Sequence, residues 1–178
     1  MVEGEGHGGC LIEMSNLEEL RKSFRPRRIT TLFVGESAPQ SGRFFYSGNS
    51  SLFYAMQRAF DGKAAFLQDF KKNGFYLDDL ASVPINKLGS RERSAHRWKS
   101  VSSLADRLKD YQPEAIVIVM RAIKPMVLEA MRKAHLPYEP YCTPHPAFGN
   151  WTRFHAAMTE IIHILPAADS KDRKGIAA

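Results

Sequence analysis

Two short apolar runs, Ile29-Thr30-Thr31-Leu32-Phe33-Val34 and Ala115-Ile116-Val117-Ile118-Val119-Met120, limit what this chain can fold into. Neither alternates with polar residues, and both are shorter than an ordinary helix. They read as strands buried on both faces, the pattern of a parallel sheet covered by helices. The first run breaks into Gly35-Glu36-Ser37-Ala38-Pro39-Gln40-Ser41-Gly42, a loop rich in Gly, Pro and Ser at the strand's carboxyl end. In an open parallel sheet that end is where ligands bind. Phe44, Phe45 and Tyr46 follow at once, and such a cluster either covers core or meets a flat partner.

The rest of the chain supplies helices between further strands. Ser15 with Glu18 forms a capping box for a short helix ending near Phe24, and Arg21, Lys22, Arg25, Arg27 and Arg28 make either a solvated face or a phosphate rim. Asn49 or Ser50 can cap a helix whose residues Leu52, Phe53, Met56 and Phe60 share one face. The spacing predicts another helix from Lys63 to Lys72, leaving at Asn73-Gly74. Phe75-Tyr76-Leu77 reads as a strand running into Asp78-Asp79, a pair that binds metal or holds a helix N-terminus, the second being favoured without a third ligand nearby.

Residues 84–99 interleave Lys87, Arg91, Arg93, His96, Arg97 and Lys99 with Trp98, which fits either a grip on phosphates or a surface loop entering a helix. A helix is expected over about Val101 to Tyr111, and Pro125 belongs in the first turn of the next, with Val127, Leu128 and Met131 facing inward. Tyr138 to Thr143 makes a last short strand, followed by the loop Pro144-His145-Pro146-Ala147-Phe148-Gly149-Asn150. Asn150 is expected to cap a helix carrying Trp151, Phe154, Met158, Ile161, Ile162 and Leu165. Strands alternating with helices, and no internal repeat, imply a three-layer α/β/α sandwich with a short, mostly parallel central sheet. The loops at Glu36 and His145 then lie on the same rim.

At 178 residues with 44% hydrophobic content, one domain over residues 13–167 is expected, with tails at 1–12 and 168–178. The formal charge of +6 favours polyanionic partners such as nucleic acid. Cys10 and Cys142 are too few for a four-cysteine site and fit a reducing compartment, so a cytoplasmic protein without a metal cluster is expected. No apolar run approaches the roughly 18 residues of a membrane span, and no basic-then-apolar signal opens the chain, so no membrane association is expected. The chain lacks the phosphate-cradling G-x-x-x-x-G-K-[ST] run, the dinucleotide G-x-G-x-x-G and the G-x-S-x-G elbow. NTPase, dehydrogenase and hydrolase readings of those kinds drop away.

Three segments in order resemble the uracil-DNA glycosylase superfamily. Gly35-Glu36-Ser37-Ala38-Pro39 is similar to that superfamily's first motif, which reads G-E-A-P-G in one branch. Gly42 to Phe53 resembles the aromatic segment of the mismatch-specific and hypoxanthine branches. His145-Pro146-Ala147-Phe148-Gly149-Asn150 is similar to the second motif, H-P-S followed by a loop and helix. The resemblance spans about residues 28–165. Ala38 and Ala147 depart from it, the latter removing a hydroxyl from a loop that grips phosphate.

That resemblance implies removal of uracil or a related deaminated base, swung out of DNA, without metal or cofactor. By similarity Glu36 positions water or stabilises the sugar cation, Ser37 takes the neighbouring position, and His145 donates a hydrogen bond to the departing base. Gly35, Phe44, Phe45 and Asn49 would bind the base, with a phenylalanine ring stacking on it. Arg43, Arg91, Arg93 and Arg97 would hold phosphates, while Phe148 or Trp151 would fill the gap in the duplex. The expected partner is DNA, duplex or single-stranded, and the expected state a monomer. The alternative is a non-catalytic module of the same fold that holds a nucleotide or single-stranded nucleic acid. A third reading is a small-molecule enzyme of another α/β family.

Overall fold

The structure, a computed structural model, describes residues 16–168 apart from Pro39, Lys63 and Phe148. The expected capping residue Ser15 and most of both expected tails lie outside the described residues. Ala168, assigned to the C-terminal tail, is tied to the body: its N–H donates to the Asn73 carbonyl at 2.8 Å.

A first helix, α1, occupies residues 16–23. Strands β1 (Thr31–Gly35), β2 (Phe75–Asp79), β3 (Ala115–Ile118) and β4 (Tyr141–Cys142) form one four-stranded sheet in the order β2-β1-β3-β4, with every pair parallel. Between β1 and β2 run α2 (Ser51–Ala59) and α3 (Phe66–Lys72); between β2 and β3 run α4 (Ser90–Lys99) and α5 (Val101–Tyr111). Helix α6 (Lys124–Lys133) joins β3 to β4, and α7 (Trp151–Ile162) follows β4.

The chain steps one way from β1 to β2 and the other way from β2 to β3 and β4. Right-handed crossovers therefore place α2 and α3 on one face and α4, α5 and α6 on the other. Consistent with this, α5 packs on α6, while α7 returns to pack on α2. The fold is α/β, a three-layer sandwich around a small, wholly parallel sheet.

Local chemistry accounts for the elements. All five residues of β1, all five of β2 and all four of β3 are buried, as expected for strands covered on both sides. Phe33 of β1 anchors an aromatic cluster with Phe60, Phe70 and Phe75 at centroid separations of 5.2 to 6.4 Å. Ser50 caps α2, its Oγ accepting the Phe53 N–H at 3.1 Å. Helix α3 leaves through Gly74 at φ 78°, where a Cβ would strike the Thr30 side chain. Asn150 precedes α7 but makes no side-chain cap; its amide instead donates to the Ala147 carbonyl at 3.3 Å.

Tyr46 closes one edge of the sheet. Its hydroxyl accepts the Leu77 N–H at 2.7 Å and donates to the Leu77 carbonyl at 2.9 Å, giving edge strand β2 the two bonds that a further strand would provide. The Tyr46 ring stacks on Phe24, just beyond α1, at 5.3 Å. Replacing Tyr46 by Phe strips both buried Leu77 groups of their partner. The expected loss is about 1–3 kcal/mol, read as a lower urea midpoint at unchanged m-value. An unchanged midpoint would show that these bonds contribute nothing to the edge.

Candidate functional site

The strand order reverses direction between β1 and β3, and in such sheets the crevice at the carboxyl ends of the diverging strands is the ligand site. A cleft of about 790 Å³ opens there. Gly35, Glu36 and Ser37 line it from the end of β1, Leu77 and Asp79 from β2, and Val119, Met120 and Arg121 from just past the end of β3. His145, Ala147 and Asn150 line it from the loop after β4, with Arg43, Phe44, Phe45 and the first turn of α2 completing the wall. Glu36 and His145, more than a hundred positions apart in sequence, thus share one cleft.

Glu36 is held by two arginines of α4. Arg93 of α4 grips it through both oxygens, its Nε donating to Oε1 at 2.8 Å and its Nη2 to Oε2, and the Nε of Arg97 also donates to Oε1 at 2.7 Å. Burial alone would raise the Glu36 pKa. The bonds and charges of the two guanidiniums outweigh it and hold the carboxyl below its ordinary range, so it is ionised at neutral pH.

His145 has a defined tautomer. Its Nδ1 accepts the Ala147 N–H at 3.2 Å, which leaves Nε2 as the protonated nitrogen of a neutral ring. Burial depresses the imidazole pKa, partly opposed by Glu36 and reinforced by Arg93, so the ring is neutral at neutral pH.

Beneath these groups lies a buried charge network. Asp78 takes guanidinium bonds from Arg21 and Arg107, the Tyr111 hydroxyl at 3.0 Å and the Asp79 N–H at 2.8 Å. Asp79 accepts from Arg21 Nη2 at 2.8 Å. Burial would raise both carboxyls. Arg107 and Arg21 overcome this at Asp78, which stays below its ordinary range, whereas at Asp79 burial wins over Arg21 and its pKa is raised. Gly35 pairs with Asp79 across β1 and β2, and a Cβ at position 35 would fall well inside contact distance of Asp79 Oδ1. Glycine is what lets that carboxyl reach the cleft.

The sequence-expected residues divide. Gly35, Glu36, Ser37, Arg43, Phe44, Phe45 and His145 all line the cleft. Phe44 and Phe45, however, are only 2% and 3% exposed. Phe45 packs against Phe53, Phe66 and Phe70, and Phe44 lies under the Arg21 guanidinium at 5.4 Å. They wall the cleft as part of the core and offer no free face for a base to stack on. Asn49 is exposed and outside the cleft lining; its Oδ1 accepts the Phe44 N–H at 2.8 Å and so shapes the loop.

The guanidiniums of Arg93 and Arg97, expected on phosphates, are committed to Glu36. Arg91 is exposed on α4, which buries none of its residues, and Trp151 packs half-buried against the core outside the cleft lining. Phe148 lies outside the described residues. Asp78 and Asp79 hold no helix end; they pair with Arg21 and Arg107. No three His, Cys, Asp or Glu side chains gather as metal ligands among the described residues.

Sequence reasoning missed Asp79 and Arg121 as cleft residues. The signal for Asp79 was its place at the end of a strand beside β1; Arg121, the first residue past the apolar run of β3, carried the same positional signal. Among the described residues, no helix is long and apolar enough to cross a membrane. No protein-family model matches the chain, and no curated protein matches it at a significant level.

Proposed function

We propose that this chain is a DNA glycosylase-like protein that hydrolyses the N-glycosidic bond of uracil or a related deaminated base swung out of DNA. The observation carrying this reading is that Glu36 and His145 line one cleft in complementary protonation states, an ionised carboxylate and a neutral imidazole protonated at Nε2. Cleaving a base from deoxyribose builds positive charge on the sugar and negative charge on the departing base. A fixed anion and a preorganised neutral donor answer those two needs.

Glu36 stabilises the developing sugar cation, or orients water toward it, and His145 Nε2–H donates to the base carbonyl. Ser37 Oγ is drawn on by the Ile85 N–H at 3.3 Å, so its hydroxyl shapes the loop beside Glu36. The test is strand cleavage by alkali after incubating the full chain with duplex and single-stranded oligonucleotides carrying one uracil or one hypoxanthine. Cleavage at the marked base is expected; binding of the strand with no cleavage at any deaminated base would overturn the enzymatic reading.

One observation favours the second reading, a non-catalytic nucleotide-binding or single-strand-binding module. Glu36 is already engaged by two guanidiniums, which is a structural use of the carboxylate. Binding without cleavage is the result that reading expects.

A further inference from the structure

The charges around the cleft do not balance. Glu36 is shared by Arg93 and Arg97, so that triad carries one positive charge in excess, while Asp78 and Asp79 are matched by Arg21 and Arg107. Arg43 and Arg121 also line the cleft, and among the described residues neither has an ion pair or a side-chain hydrogen bond. With Glu18, which also meets Arg21 at 3.4 Å, included, six guanidiniums stand against four carboxylates in and behind the cleft wall. A neutral base gains nothing from that excess; an anionic group attached to the base does.

The two unmatched arginines come from different elements. Arg43 lies in the loop leading from β1 to α2, whose first turn at Ser51 and Leu52 also lines the cleft and adds the positive end of a nine-residue helix. Arg121 stands just past the carboxyl end of β3, in the short turn of helix (Arg121–Ile123) that precedes α6. We propose that the cleft contains an anion subsite, formed by Arg43 and Arg121, that takes the phosphate of a nucleotide whose base lies toward Glu36 and His145. This rests on the reading of the cleft as a nucleotide site. The phosphate is either a diester within a strand or the monoester of a free nucleotide.

The experiment is calorimetric titration of the full chain with deoxynucleosides and their 5′- and 3′-monophosphates, bearing uracil, hypoxanthine and the ordinary bases. At least one monophosphate is expected to bind roughly tenfold or more tightly than its nucleoside, the range of a charge-assisted guanidinium–phosphate contact. Arg43→Gln and Arg121→Gln each shrink that preference, the double variant removes it, and raising salt narrows it. Both side chains are exposed, so the variants fold.

Equal binding of nucleoside and nucleotide for every base, no binding of any monophosphate at millimolar concentration, or a preference intact in the double variant would each overturn the subsite. A trinucleotide compared with its methylphosphonate analogue separates the sources. Weaker binding of the analogue assigns the subsite to a strand, and indifference to the change assigns it to a free nucleotide. Because none of these readouts uses cleavage, a phosphate preference without strand cleavage would end the glycosylase reading and leave the subsite standing.

Discussion

Replacing Arg21 by Met should remove about 3–5 kcal/mol of stability, a large part of what a single domain has. Arg21 is 6% exposed and reaches from α1 to two adjacent carboxylates, Asp78 and Asp79. Methionine preserves much of the packing but leaves Asp79 buried without its cation and Asp78 with Arg107 alone. Two neighbouring buried carboxylates then face each other with one positive charge between them, and folding must either protonate one or admit water. The urea midpoint of Arg21→Met reads the loss. Adding Asp79→Asn should recover part of it, because the uncompensated charge is gone, and Arg21→Lys should lose less than Met because it keeps the charge without the fork. A midpoint unchanged in Arg21→Met would show that α1 is fastened by apolar contacts alone.

The second large effect concerns rate. If uracil or hypoxanthine is excised, His145→Ala should leave about a hundredth to a thousandth of the wild-type single-turnover rate, the usual consequence of deleting one preorganised donor. The Ala147 N–H fixes the ring so that its proton is on Nε2, and that geometry exists before substrate arrives. Fold stability should change little, since His145 is half-buried and makes this one bond. Glu36→Gln should be as damaging but harder to interpret: it also breaks the ties that Arg93 and Arg97 make to β1's loop. Undiminished excision by His145→Ala would remove the imidazole from the mechanism.

The layers and the sheet were legible because they follow from local pattern. The apolar runs of β1 and β3, the helix over Val101–Tyr111 and the serine cap of α2 each announce themselves within a few residues. The sharing of one rim by Glu36 and His145 was also legible, since parallel strands put their trailing loops on the same edge. What the letters concealed were partners. Arg21 looks like one member of a basic cluster, yet it is buried on carboxylates 57 and 58 positions away. Its neighbours Arg25 and Arg28 pair with Asp110 and Glu114. Arg93 and Arg97 read as a phosphate grip because nothing local shows that a strand-end glutamate 57 to 61 positions earlier claims them. The aromatic triplet at Phe44 offered core or ligand, and the core took it.

Helix α4 buries none of its residues, yet one of its arginines forms part of the cleft wall. It hangs on the body by a clasp of opposite charges rather than by oil. Such a fastening slackens with ionic strength, whereas the aromatic side of the molecule is indifferent to it. The set of this flank of the cleft is therefore a function of salt, and any polyanion that reached Arg93 and Arg97 would compete with Glu36 for the two groups that hold α4 in place.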